Sequence, residues 1–227
     1  MIALIGASGG IGRELAPSLR QLDSIIATYN TSPLDLRIEG LHEVKLDLTS
    51  EEQINQFGDS LSSINQKITL VNMAAVSIDS LLVNAEYADW KKVFEINVHS
   101  FFLLLKKILP KMIEDQWGRV ILASSVVAEA GPVGTAAYSS SKSALRGLCK
   151  TVAHEYGRFN ITCNLLEIGY FSKGLIQTVD EKKQQDILQR IPSKKFGEPH
   201  NIFHAVDFIM KADYLNGAVI RLDGGLQ

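Results

Sequence analysis

Ile2-Ala-Leu-Ile5 runs straight into Gly6-Ala-Ser-Gly-Gly10-Ile-Gly12, and the reading of this junction decides the fold. Four apolar residues, isoleucine at both ends, make a short strand buried on both faces. Glycine then lets the backbone take positive φ and pass close to another group. Helical periodicity resumes behind it, over about residues 12–21. A helix that starts there presents free N–H groups and the positive end of its dipole, which suit a phosphate. The spacing is G-x-x-x-G-x-G, not the commoner G-x-G-x-x-G. Taken alone, such a turn also fits nothing more than close packing of a helix on a strand.

Outward from this junction, short β-branched runs alternate with amphipathic stretches. Strands are expected at 24–28, 43–46, 68–72, 118–124, 161–165 and 218–222, and helices after Thr49 or Ser50, at 89–116 and at 139–159. The strands are nearly all apolar rather than alternating, as in a sheet covered on both faces. Strand–helix alternation implies parallel, right-handed crossover units. The fold class is therefore α/β, a doubly wound Rossmann sheet of about seven strands with helices on both faces. Its ligand belongs outside the carboxyl ends of the strands.

No linker divides the 227 residues, so one domain over 1–227 is expected. A net charge of −2 offers no electrostatic footprint for nucleic acid or anionic lipid. No apolar run reaches the roughly 18 residues of a membrane span. Residues 1–5 lead directly into the glycine turn without a basic segment or cleavage site, so a cytoplasmic location is expected. Cys149 and Cys163 are too few for a disulfide framework or a cysteine-rich zinc site, and they read as small buried apolar groups. His200 and His204 have a metal-compatible spacing but no third ligand in view, so no metal is expected.

Tyr138 and Lys142 are four apart at the start of a helix and share a face. An ammonium beside a phenol favours the phenolate and would bring its proton exchange toward neutral pH. Ser125 ends the fifth strand, at the sheet's carboxyl edge, where its hydroxyl could hold a carbonyl oxygen beside Tyr138. A bare Y-x-x-x-K pair is common on surface helices; the serine and the glycine turn give it weight.

Together these residues resemble the short-chain dehydrogenase/reductase family, in its compact single-domain branch. The likeness runs along essentially the whole chain. Gly6–Gly12 matches the family's glycine turn, Asp47-Leu48 its adenine-contacting segment, and Asn72-Met-Ala-Ala75 its N-N-A-G. Asn97, in Glu-Ile-Asn-Val, falls where the family has a fourth catalytic residue. Ser125 stands 13 residues before Tyr138, the family's common spacing, and 215–225 resembles its last strand and turn. Ser125-Val-Val and Arg190-Ile-Pro…Phe-Gly-Glu-Pro199 are similar to bacterial 3-oxoacyl-[acyl-carrier-protein] reductases.

The resemblance implies hydride transfer between a nicotinamide and a carbonyl carbon. Tyr138 is then the proton donor, Ser125 the positioner of the oxygen, and Lys142 the group that lowers the tyrosine pKa and holds ribose hydroxyls. Asn97 locally interrupts its helix and holds a water with its carbonyl. The cofactor set implied is Gly6, Ser8, Gly9, Gly10, Ile11, Gly12, Asn30, Thr31, Ser32, Asp47, Leu48, Asn72, Ala74, Tyr138, Lys142, Ile168, Gly169 and Ser172. Met73 and Ala75 depart from N-N-A-G, Ile168 replaces a common proline, and Ser172 stands where a threonine often meets the carboxamide.

The second strand ends Thr28-Tyr-Asn-Thr-Ser32, with no carboxylate before Asp35. An acid there would bond the ribose 2′-OH and repel a 2′-phosphate, so its absence favours NADP over NAD. Against this, Gly9 leaves empty a place where NADP-using members often carry a cation, and Arg37 is the nearest one in the sequence.

Residues 170–198 are expected to form a substrate lid, mobile without ligand and ordered over cofactor and substrate. Lys182-Lys183 and Lys194-Lys195 fit either a solvated helix or a patch for an acyl carrier protein. Phe101-Phe-Leu-Leu-Leu105 and the stripe Leu145, Leu148, Val152, Tyr156 suggest oligomerisation, and the family resemblance implies that these helices pair in a homodimer or tetramer. Three functions stay open: an NADP-dependent reductase of a 3-oxoacyl thioester, a dehydrogenase of a sugar or other small secondary alcohol, and a non-catalytic dinucleotide-binding regulator.

Overall fold

The computed structural model describes residues 1–226. Strands β1 (Ile2–Ile5), β2 (Ile25–Tyr29), β3 (Leu41–Lys45), β4 (Thr69–Asn72), β5 (Gly118–Ser125), β6 (Ile161–Ile168) and β7 (Val219–Leu222) form one sheet. Their order is β3-β2-β1-β4-β5-β6-β7, and every pair is parallel. The helices are α1 (Gly10–Leu19), α2 (Glu51–Ser62), α3 (Tyr87–Phe94), α4 (Ser100–Glu114), α5 (Val127–Ala130), α6 (Ala136–Tyr156), α7 (Glu181–Arg190) and α8 (Pro199–Lys211). This is the doubly wound fold expected from the alternation.

Strand order reverses between β1 and β4, which opens a crevice at their carboxyl ends. Ile5 pairs with Asn72, so the glycine turn and residues 73–76 leave the sheet side by side. Alternate residues of β1 enter two cores. Ile2 and Leu4 pack with Leu15 and Leu19 of α1 and Ile202 and Val206 of α8. Ala3 and Ile5 pack with side chains of α2, α4 and α6, among them Phe57, Phe101 and Leu145. Apart from Ala3, each such side chain contributes roughly 1.5–3 kcal/mol when fully buried.

Local signals explain most boundaries. Ser50 caps α2 by accepting from Gln53 N–H at 3.2 Å, and Glu51 and Glu52 oppose the dipole in its first turn. Pro199 opens α8 behind a capping box between Glu198 and Asn201. β6 runs three residues past the expected end because Ile168 pairs with Ser125 on one side and Leu222 on the other. The helical pattern over 89–116 resolves into α3 and α4, separated by a π-helical turn at Glu95–His99 that contains Asn97.

One expectation about surfaces is corrected. Leu145 and Val152 lie in the core, with Leu148 and Tyr156 packed against it. The outer face of α6 instead carries small residues such as Ser143, Gly147 and Thr151. Periodicity marked an apolar face of this helix, and the sheet is what covers it. On α4, Phe101 is buried and Phe102 is exposed. Cys149 and Cys163 are buried, and Cys149 Sγ donates to the Cys163 carbonyl at 3.1 Å. Among the described residues no helix is long and apolar enough to cross a membrane.

Candidate active site

The end of β2 holds the glycine turn. Gly6 N–H donates to Thr28 Oγ1 at 3.0 Å, and Ala7 N–H to the Thr28 carbonyl at 2.9 Å. Gly6 has φ +79°, and a Cβ there would fall 2.6 Å from Ala74 Cα. A Cβ on Gly12 would fall 2.4 Å from the Gly6 carbonyl oxygen. The fold itself demands both glycines. Gly9 is different, since a Cβ there would have ordinary contact with one atom, at 3.4 Å. Gly9 caps α1 without a side-chain hydrogen bond, and no acid stands in the first turn. The opening N–H groups of α1 are therefore left for an anion.

Beside this turn lies a cleft of about 250 Å³. Gly6, Ser8, Gly9, Asn30, Asp47, Leu48 and Ala74, all expected to hold the cofactor, line it. Gly10, Ile11 and Gly12 make the first turn of α1. Thr31 and Ser32 stand exposed just after Asn30. Asn72 Oδ1 accepts from Ala74 N–H at 2.8 Å, while its buried Nδ2 has no partner among the described residues. An orphaned donor beneath the cleft, an uncapped helix start and an acid-free end of β2 all fit a phosphate-bearing dinucleotide.

Ser125, Tyr138 and Lys142 meet where β5 ends and α6 begins. All three are at least nine-tenths buried. Lys142 Nζ donates to the Ala123 carbonyl at 2.7 Å and lies 5.8 Å from the centroid of the Tyr138 ring. Burial pushes the lysine down to about 7. Burial also pushes the Tyr138 phenol up, to about 12, against the Ser125 hydroxyl, which favours its ionised form. The expectation that Lys142 draws the tyrosine pKa down thus does not hold for the ligand-free chain. Desolvation disfavours the charged form of both groups, and Lys142 is engaged by a backbone carbonyl.

Asn97 occupies the wide π turn, a distortion common at functional sites. Its side chain accepts from Val76 N–H at 2.9 Å and donates to the Val76 carbonyl at 2.9 Å and Ser141 Oγ at 3.0 Å. It therefore ties the loop after β4 to α6, one residue before Lys142.

Three residues go beyond the expected set. Arg13 Nη2 donates to the Leu34 carbonyl at 2.6 Å, which carries a cation to the loop after β2. Arg13 follows Gly9 by four residues, on the same helical face. Asp79 raises the pKa of both Tyr138 and Tyr170 by its charge, so it faces the site. Lys173 pairs with Glu14 of α1 at 3.3 Å. Asp79 and Lys173 lie on loops, where no spacing rule points to them, and Arg13 reaches the loop after β2 only through the packed structure.

The segment after β6 is anchored at both ends. A Cβ on Gly169 would fall 2.8 Å from Asp223 Cα, so the turn after β7 requires that glycine. Val126 N–H donates to the Ile168 carbonyl at 3.0 Å, which fixes the position of the absent proline. Ser172 Oγ donates to Glu198 Oε2 at 2.7 Å, so its hydroxyl is engaged at the start of α8. Phe171, Ile176 and Ile191 are buried, whereas α7 buries none of its residues.

A family model described as enoyl-(acyl carrier protein) reductase matches residues 6–227. The chain is 31% identical to the 3-oxoacyl-[acyl-carrier-protein] reductase FabG of Aquifex aeolicus, over 97% of this chain and 94% of that one. It is 32% identical to FabG of Rickettsia typhi, over 98% and 95%. A solved structure from Agrobacterium tumefaciens, described as a candidate gluconate dehydrogenase, superposes with a TM-score of 0.92 at 25% identity, covering 99% of this chain and 95% of that one. Fold, glycine turn and matches over nearly the full length lead to one conclusion: the chain belongs to the short-chain dehydrogenase/reductase family of oxidoreductases.

Proposed function

We propose that the protein is an NADP(H)-dependent carbonyl reductase whose substrate is a 3-oxoacyl thioester. The observation that carries this reading is the buried Ser125–Tyr138–Lys142 set, placed at the carboxyl edge of the sheet beside an uncapped glycine turn. With its phosphates held at that turn, a bound dinucleotide would supply, from its reduced nicotinamide, a hydride to the carbonyl carbon. Ser125 holds the carbonyl oxygen, and Tyr138 gives that oxygen its proton, so ketone, hydride and proton sum to the alcohol. A phenol at about 12 is fully protonated at neutral pH, which suits donation and hence reduction. Lys142, at about 7, binds and releases a proton near neutrality and can return one to the tyrosine.

Asn97 is the positioning residue that holds the floor of this site. Its backbone carbonyl, in the π turn, is assigned to a water that leads from Lys142 to solvent. Asn72, Asp47 and Leu48 hold the adenosine half, and Ile168, Gly169 and Ser172 border the nicotinamide. Residues 170–198 form the lid that excludes water from the transfer.

The substrate class rests on the rim. Ser80 N–H donates to the Gly134 carbonyl at 2.9 Å, which joins the loop after β4 to the loop before α6. Leu82, Val83 and Val133, all more than two-thirds exposed, stand on these two loops. An apolar rim suits an acyl chain. Asp79, whose charge acts on Tyr138 and Tyr170, would disfavour a substrate carboxylate held nearby, which weighs against an aldonate. The description of the Agrobacterium neighbour keeps a sugar-type alcohol as the second reading. An acyl carrier protein is the partner assigned to exposed Lys182, Lys183, Lys194 and Lys195. Exposed Tyr87 and Phe102, on α3 and α4, are assigned to a homo-oligomer contact.

The cofactor preference follows from Asn30, Thr31 and Ser32 as donors and Arg13 as the nearby cation. Kinetics with both cofactors on 3-oxoacyl thioesters and on sugar-derived carbonyls test the reading. NADPH should be used at least ten-fold better than NADH on the thioester. Asn30→Asp should shift that ratio toward NADH by about ten-fold or more, through repulsion of the 2′-phosphate. A parent enzyme that prefers NADH contradicts the assignment of residues 30–32, and a preference for sugar carbonyls favours the second reading.

A further inference from the structure

Two consecutive residues of the segment after β6 sit on one face of α1. Gly174 lies against Gly10, where a Cβ would fall 2.5 Å from the Gly174 nitrogen. Gly174 has φ +84° and in turn backs onto Ile11. Lys173 pairs with Glu14 at 3.3 Å. Gly10 and Glu14 are i and i+4, so lysine and glycine meet the same helical face one turn apart. The absence of a side chain at Gly10 thus admits the backbone of this segment to the helix start. That start is also where the dinucleotide phosphates belong.

The ion pair is easily broken. Its side chains are 41% and 53% exposed, and exposed pairs of this kind hold weakly. A pyrophosphate at the N-terminus of α1 is a stronger partner for an ammonium, since it carries two negative charges beside a positive helix end. Glu14, meanwhile, stands one turn into the helix and repels such an anion unless it is neutralised. We propose that Lys173 is a cofactor-binding residue, which exchanges Glu14 for the pyrophosphate when the dinucleotide enters and so ties the lid segment to cofactor occupancy. This rests on the reading of the glycine turn as a dinucleotide site.

The test is equilibrium binding, read by calorimetry, of NADPH, NADH, ADP and adenosine to the full chain. Lys173→Ala should weaken NADPH, NADH and ADP alike by about ten-fold and leave adenosine unchanged. Adding Glu14→Gln to Lys173→Ala should recover only part of that loss. In hydrogen exchange, NADPH should protect residues 172–178 in the parent chain and much less in Lys173→Ala. Unchanged ADP affinity in Lys173→Ala would overturn the proposal. Full recovery in the double variant would overturn it too, since Lys173 would then act only by masking Glu14. A parent chain that binds none of the three phosphate-bearing ligands would overturn both this proposal and the dinucleotide reading beneath it.

Discussion

Tyr138→Phe is expected to lower kcat for carbonyl reduction by about 10²–10⁴-fold while NADPH affinity stays within about three-fold. The substitution removes one hydroxyl and keeps the ring, which is 9% exposed and packed at the head of α6. On the proposed mechanism, the only function lost is delivery of a proton to the carbonyl oxygen; Ser125 would still orient the substrate, and the glycine turn would still bind cofactor. The lost hydroxyl sits in a desolvated position, so water does not readily replace it as a donor. Steady-state kinetics paired with a binding titration check this. Turnover within a few-fold of the parent would remove Tyr138 from the proton-donating role.

Lys142 should reveal itself in stability as well as in turnover. Its pKa is about 7 when folded and ordinarily 10.5, so between those values the unfolded chain binds more protons. Stability of the ligand-free protein should therefore rise with pH across this window. The cost of burying the ammonium is fully present below about pH 7 and is relieved above it. Between pH 7 and 9 the gain on this account is about 2 kcal/mol, at 1.36 kcal/mol per pKa unit. Cys163 and Tyr138 carry raised pKa values and act in the opposite sense, but only above about pH 9 and 10 respectively. Lys142→Met should flatten the rise from pH 7 to 9 and lower kcat. Denaturant unfolding at a series of pH values measures the first. An equal slope in both proteins would show that the ammonium is not the group being desolvated.

The sheet was legible because its signals are local. β1 and its glycine turn lie within a dozen residues, and apolar strands alternate with amphipathic helices at intervals a reader can follow. The placing of Ser125 at the end of β5, and of Tyr138 and Lys142 on one face of α6, follows from the same periodicities. The break at Asn97 did not; the pattern over 89–116 reads as one helix, and only the family likeness pointed to an interruption. Leu145 and Val152 were misplaced because periodicity identifies a face without saying what covers it. Arg13, Asp79 and Lys173 escaped notice because their reach depends on where loops 30–36, 77–85 and 170–178 come to rest. The engagement of Ser172 by Glu198 spans 26 residues and two element ends, with no local trace. In the ligand-free chain the tyrosine pKa moves opposite to the expected direction for a related reason. Charge proximity can be read from an i, i+4 spacing, whereas the depth of burial that overrides it requires the packed structure.

On the proposed mechanism a hydride passes directly from the nicotinamide to a carbonyl carbon in the site built by Ser125, Tyr138 and Lys142. Mass spectrometry of the product, after turnover of a 3-oxoacyl thioester with NADPH deuterated at the transferable C4 position, tests it most directly. The account predicts a 3-hydroxyacyl product with one deuterium on the former carbonyl carbon, formed by the parent chain and nearly absent with Tyr138→Phe. A chain that binds NADPH but yields no reduced product from any carbonyl offered, or a product without deuterium at that carbon, would contradict it.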